Sequence, residues 1–204
     1  MKRIYSIILL LVLVLSGALT SKAEMRWGAT IGPNFNRFNF KQKLFTGNLG
    51  VGGLAGITGE MMFPGIGFGV ELGLLYNNLN AVENMGQKPI WSEYGSPRIM
   101  LHDISIPFNL KFKWTRMSGV EDYVAPFVVG GPVLDIQVAH NNGSMMKFAG
   151  GVFGLRAGIG AEIYKRWQVS GNYTWGMTYA MKTQLLTDFS ARSGTWDVRV
   201  TYFF

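Results

Sequence analysis

The 204-residue sequence contains no cysteine and only two histidines. Without a thiol there is no disulfide to staple an exported chain, no lipid-bearing amino-terminal cysteine of a lipoprotein, and no sulfur ligand for zinc. His102 and His140 alone do not supply the spacing of a structural metal site, so no metal and no organic cofactor are expected. Charge is sparse too, at 15% of the chain, and it is scattered. The densest basic clusters, Lys41-Gln42-Lys43 and Lys165-Arg166, read as loop and turn charges in water, not as the patch a nucleic-acid partner requires. The formal charge of +7 overstates the mature protein, because Lys2, Arg3 and Lys22 fall in an amino-terminal leader. Beyond that leader no apolar run approaches the ~20 residues of a membrane helix, and helical periodicity is hard to find.

The leader has the layout of an export signal. Lys2 and Arg3 precede the apolar run Ile4 to Leu15, Ser16-Gly17 breaks it, and Ser21-Lys22-Ala23 places small residues for cleavage before Glu24. Residues 1–23 are therefore expected to be a signal peptide and residues 24–204 one domain, with no room for a second.

What the mature chain does contain is glycine, 27 in all, and aromatics at 14%, arranged with period two over segments of ten to fifteen residues. The carboxy-terminal run shows it best. Trp196, Val198, Val200, Tyr202 and Phe204 alternate with Thr195, Asp197, Arg199 and Thr201, and the chain stops on an aromatic residue. Seven earlier segments follow the same rule. They span about Met25 to Pro33, Leu49 to Met61, Ile66 to Asn77, Ile104 to Trp114, Tyr123 to Val138, Ala149 to Tyr164 and Trp167 to Met181. The third is the cleanest, with Phe68, Val70, Leu72, Leu74 and Tyr76 on one face and Gly69, Glu71, Gly73 and Asn77 on the other. The fifth does not keep one parity, so its facing is open and a bulge is expected in Val128-Val129-Gly130-Gly131-Pro132. Connections alternate between long and short, with tight turns at Phe63-Pro64-Gly65 and Lys165-Arg166.

An eight-stranded antiparallel up-and-down transmembrane β-barrel accommodates this pattern, because a sheet in hydrocarbon must close on itself to pair every backbone amide. So small a barrel encloses only enough space for its own side chains. The polar faces would then point inward, bringing the cations Arg26, Lys111, Lys113, Arg156 and Arg199 against the anions Glu60, Glu71, Glu162 and Asp197 in a salt-bridged plug. Trp114, Tyr123, Trp167, Tyr202 and Phe204 fall near the inner strand ends, and Tyr76, Trp175 and Tyr179 toward the outer ends, as two interfacial belts.

Several stretches resemble a known family. Ile104-Ser105-Ile106-Pro107-Phe108-Asn109-Leu110-Lys111-Phe112, Ala125 to Pro132, Gly158 to Glu162 and Tyr173 to Met177 are similar to the small outer-membrane barrels of Bacteroidota, the PorT-like or outer membrane protein beta-barrel domain group, related in shape to OmpX and OmpA barrels. The resemblance implies a cell outer-membrane location in a Gram-negative organism, contact with outer-membrane lipid and lipopolysaccharide, and insertion by the barrel assembly machinery. Tyr202 and Phe204 would then serve as the carboxy-terminal sorting signal. One branch of the family is associated with type IX secretion, and a narrow porin-like channel is a further reading. No peptidoglycan-binding domain follows the barrel, so that anchoring role is not expected.

Enzymatic chemistry finds little support. His102-Asp103 with Ser105 is the closest approach to a catalytic group, but adjacent residues of a strand point to opposite faces and cannot orient one another as a triad requires. They read as rim residues bonded to loops or lipid headgroups. Gly50-Val51-Gly52-Gly53 and Gly65-Ile66-Gly67-Phe68-Gly69 lie in strand-period segments with no helix after them, so neither is a phosphate loop. Function is left to the outer loops. The first carries Phe35, Phe38, Phe40 and Phe45 and the second, Leu79 to Arg98, carries Glu83, Pro89, Trp91, Glu93, Tyr94 and Pro97, a mixture suited to a protein or glycan partner. A soluble lipocalin-like carrier, with the faces reversed, is the alternative outside the membrane.

Overall fold

The computed structural model describes residues 24–40, 45–65, 67–85, 98–115, 119–140, 146–183 and 190–204. The strands are β1 (Glu24–Phe40), β2 (Phe45–Asn48), β3 (Gly50–Met62), β4 (Phe68–Met85), β5 (Arg98–Lys113), β6 (Val124–His140), β7 (Met146–Phe148), β8 (Gly151–Ile163), β9 (Trp167–Gly176), β10 (Met181–Thr183) and β11 (Ser190–Phe203). Eight of them pair antiparallel in the order β1-β3-β4-β5-β6-β8-β9-β11, and β11 pairs back onto β1. The sheet is a closed barrel with no free edge. Its seam runs to the chain end, where the Phe204 amide donates to the Trp27 carbonyl at 2.9 Å.

Facing follows residue parity. Trp27, Ile31, Ile57, Leu72, Leu74, Leu110 and Ile159 are all about half exposed or more, while Glu60, Asn109 and Lys111 are at most 1% exposed. A surface so apolar around a charged interior is the reverse of a water-soluble sheet and excludes the lipocalin-like alternative.

The structure departs from the sequence reading where strands run past the apolar period. β1 continues to Phe40 and β4 to Met85, so much of what reads as the first two loops is strand. Phe38 is 1% exposed and turned inward. At the same end β2 pairs with β4, β10 with β11 and β7 with β10, so part of the long connections is itself β-structure. The seventh segment is shorter than expected: β9 stops at Gly176, and the amides of Met177 and Thr178 both reach the Phe153 carbonyl, at 2.9 and 3.2 Å. Tyr179 therefore sits in a connection rather than on a barrel strand.

β6 holds one parity after all, with Ala125, Phe127, Val129 and Val133 inward. Apolar side chains on both faces erased its alternation from the sequence. Its pairing with β8 is unbroken from Val124 to Ile136, and the register shift lies farther out, between His102 and Asp103 of β5, where β6 carries the extra residue Val138. The Gly-Gly-Pro stretch has a different purpose. A Cβ at Gly131 would stand 2.0 Å from the Phe108 carbonyl oxygen, so glycine there lets the two backbones close up. The β8–β9 turn is also displaced by one residue, since Tyr164 and Lys165, not Arg166, take the positive φ values of 50° and 58°.

Candidate functional site

The interior is built in layers. Nearest the short turns, Glu60 accepts from Arg26 (2.6 Å), Lys111 (2.5 Å), Lys113 (2.9 Å) and Gln168 (2.8 Å). Glu162 accepts from Arg26 (2.5 Å), Lys113 (2.8 Å) and Gln168 (2.7 Å). Glu71 completes the cluster by accepting from Lys111 and from Asn109, each at 3.0 Å. Three cations thus meet three anions, each carboxylate holding at least two donors. The desolvation of so many ions is offset only by such dense pairing. Aromatic faces close the gaps: Phe127 lies 4.1 Å from the Lys111 ammonium and Phe203 lies 4.8 Å from the Arg26 guanidinium.

Above this layer the hydroxyls of Thr58, Thr30 and Thr201 form a chain across three neighbouring strands, at 2.7 and 2.8 Å. Asp197 then takes Arg199 at 2.5 Å and Asn172 at 2.8 Å, with Arg156 farther off at 3.8 Å and donating to Thr174 instead.

The outer third of the interior gathers apolar side chains among the buried Asn34, Asn36, Asn77 and Ser105, a packing the sequence reading did not foresee. Phe38, Leu54, Leu75, Leu79, Leu101, Val133, Val152 and Ala180 are buried there. Among them sits Asp103, 2% exposed, with Oδ1 lacking any hydrogen bond; the charge that acts on it is another carboxylate, Asp135. Asp103 is thus no rim residue, and the expected balance of five cations against four anions becomes five against six among the described residues. Parity with Ser105, Asn109 and Lys111 carries the signal for Asp103. Asp135 was hidden because the facing of its strand was unreadable. His102 points the other way and shares a 2.7 Å hydrogen bond with Tyr76 on the outer surface, so the two never form a catalytic pair.

The aromatic residues take their places on the outside. Trp114, Tyr123, Trp167 and Phe204 are exposed at the inner end, where the rings of Trp167 and Tyr202 lie tilted at 4.8 Å and those of Tyr202 and Phe204 meet edge to face at 5.9 Å. At the outer end Tyr173 lies 4.6 Å from both Trp175 and Trp196, and Tyr76 is exposed on the opposite side of the barrel. Tyr179 instead lies beneath Arg192, 5.3 Å from its guanidinium. Pro89, Trp91, Glu93, Tyr94 and Pro97, and the side chains of Phe40, Phe45 and Glu83, lie outside the described residues.

Among the described residues no group of His, Asp or Glu is arranged to hold a metal ion. At the inner mouth, Arg26, Lys113, Glu162, Arg166, Tyr164 and Phe203 help to line a recess of about 800 Å³.

Residues 20–181 match the family described as "Outer membrane protein beta-barrel domain". No curated protein matches the chain. Among solved structures it is similar to the outer membrane protein OprG from Pseudomonas aeruginosa, with 14% identity over 88% of this chain and 94% of that one and a TM-score of 0.53. Likeness to Neisserial surface protein A is weaker, at 13% identity, 87% and 97% coverage and a TM-score of 0.48. At these identities the likeness is one of fold.

Proposed function

The chain belongs to the outer membrane protein beta-barrel domain family and resides in the cell outer membrane, and from that premise we propose that it is a closed, non-conducting barrel that acts by presenting its long connections to partners outside the cell. The observation that carries this reading is the filled interior: an apolar layer around Phe38, Leu75 and Leu101 stands over a saturated ion-pair layer around Glu60. An ion crossing it would have to displace both. Residues 1–23 act as the cleaved export signal, and Tyr202 with Phe204 present the sorting signal to the assembly machinery at the inner rim. The aromatic clusters at the two ends hold the barrel at the two interfaces. The protein is expected to carry out no catalysis.

Two measurements test this. Purified protein in a planar bilayer should give conductance at background, and steady single-channel steps would overturn the filled-barrel reading. Photo-cross-linkers placed in the long connections of intact cells should capture protein or glycan that cross-linkers in the short turns do not, and equal capture from both ends would count against outward recognition.

A second reading is favoured by the inner recess, whose mixed charge suits a periplasmic polypeptide. It accords with the PorT-like, Bacteroidota resemblance of the Ile104–Phe112 segment and with a role in secretion or envelope assembly. Co-purification of periplasmic components that is lost on reversing charge at Arg166 would support it.

A further inference from the structure

Two arginines on the outward face of the seam stand apart from every ion pair described above. Arg37 of β1 and Arg192 of β11 are both exposed, and their strands pair with Arg37 opposite Gly194 and Asn39 opposite Arg192. The two side chains are therefore diagonal neighbours, roughly 7–8 Å apart at the backbone. Neither has a carboxylate partner among the described residues, and the acids of these two strands lie inward, at Asp197, or at the far end, at Glu24. Like charges placed side by side without a counter-charge repel, unless an anion bridges them.

The surface next to them is shaped for an amphiphile. Gly194 leaves a gap in the outward face, and the Tyr173 ring leans over it, so that a Cβ at Gly194 would meet the Tyr173 hydroxyl at 2.7 Å and the Asn39 amide nitrogen at 3.5 Å. A hydroxyl and an amide donor are thus brought up beside the two guanidinium groups. Trp196, 59% exposed, follows Gly194 on the same face toward the membrane centre, and Trp175, 49% exposed, pairs with Gly194 on β9. The order along the barrel axis is cationic, hydrogen-bonding, aromatic, then aliphatic, which is the order of an anionic headgroup, an interface and acyl chains. Arginine matches a phosphate with two parallel N–H donors, and two arginines can share one phosphate.

We propose that Arg37 and Arg192, assisted by Tyr173 and Asn39, bind the phosphate of an outer-leaflet glycolipid whose acyl chains lie along the aromatic and aliphatic face below. This site is independent of what the loops recognise and of whether the barrel conducts.

The test uses mature protein refolded in a zwitterionic detergent, with the fraction still folded read from unboiled gels after heating. Added bisphosphorylated lipid A should raise the midpoint of unfolding by several degrees. Arg37→Ala with Arg192→Ala should remove most of that rise while leaving the lipid-free midpoint near the wild-type value, and Arg→Lys at both positions should retain part of it. Lipid A stripped of phosphate should raise neither protein, and millimolar inorganic phosphate should not reproduce the effect. An equal rise in the double alanine variant, an equal rise with dephosphorylated lipid A, or full reproduction by inorganic phosphate would each overturn the proposal. If the alanine pair fails to fold, Arg37→Gln with Arg192→Gln serves in its place; failure of that pair as well would make the arginines structural and overturn the lipid site.

Discussion

Glu60 is the residue on which the inner plug depends, since four donors from three different strands converge on it. Neutralising it by Glu60→Gln leaves Arg26, Lys111 and Lys113 crowded with too little negative charge, and removing one member of a buried ionic set costs about 3–5 kcal/mol. Glu71→Ala should cost less, because Lys111 keeps Glu60 and Gln168. Urea titrations of the two variants, read from gel mobility, should show Glu60→Gln unfolding well before Glu71→Ala; the reverse order would place the hub elsewhere. Asp103 has the opposite character, being buried beside Asp135 with its Oδ1 lacking any donor. Asp103→Asn removes a like-charge contact at constant size and should raise stability by about 1 kcal/mol at neutral pH. The five cations and four of the six interior acids were legible from strand parity alone. Which acid meets which base was not, because pairing joins residues as far apart in sequence as Arg26 and Glu162.

Strands and turns show where period two stops being informative. The third and fourth segments read cleanly because one face is aliphatic or aromatic and the other carries Glu71, Asn109, Lys111 and Lys113. β6 was unreadable because Ala125, Phe127, Val129 and Val133 make its inner face apolar as well. At Gly131 any side chain must push against the backbone of β5, so Gly131→Val should weaken closure between β5 and β6. The expected result is loss of the heat-shifted folded band at a lower temperature than wild type. The β8–β9 turn holds two ordinary residues at positive φ, a conformation that costs about 1–2 kcal/mol for a residue with a Cβ. Lys165→Gly should relieve part of that and stabilise the protein by about 1 kcal/mol, even though it removes the exposed Lys165 to Asp122 pair at 2.6 Å, since such surface pairs contribute little. A drop in stability would show that the pair matters more than the backbone.

For the whole molecule, closure of the sheet removes every edge, and the environment then sorts the two faces. The outside is apolar enough to require lipid, while the inside is filled twice over, by ions near the short turns and by aliphatic side chains near the long connections. A barrel of this kind should resist dodecyl sulfate until heated. Protein from a carbonate-washed outer-membrane fraction should therefore run at different mobilities before and after boiling. Identical mobilities would contradict a closed barrel.

The sequence by itself determined the fold class, the strand count, the facing of seven strands and the composition of the inner plug. Each of these follows from local alternation, which a bilayer enforces residue by residue. Only the tertiary structure decided the outward extension of β1 and β4, the apolar layer, the Asp103–Asp135 contact and the arginine pair at the seam. Those features depend on the register between strands remote in the chain, and local periodicity carries no record of register.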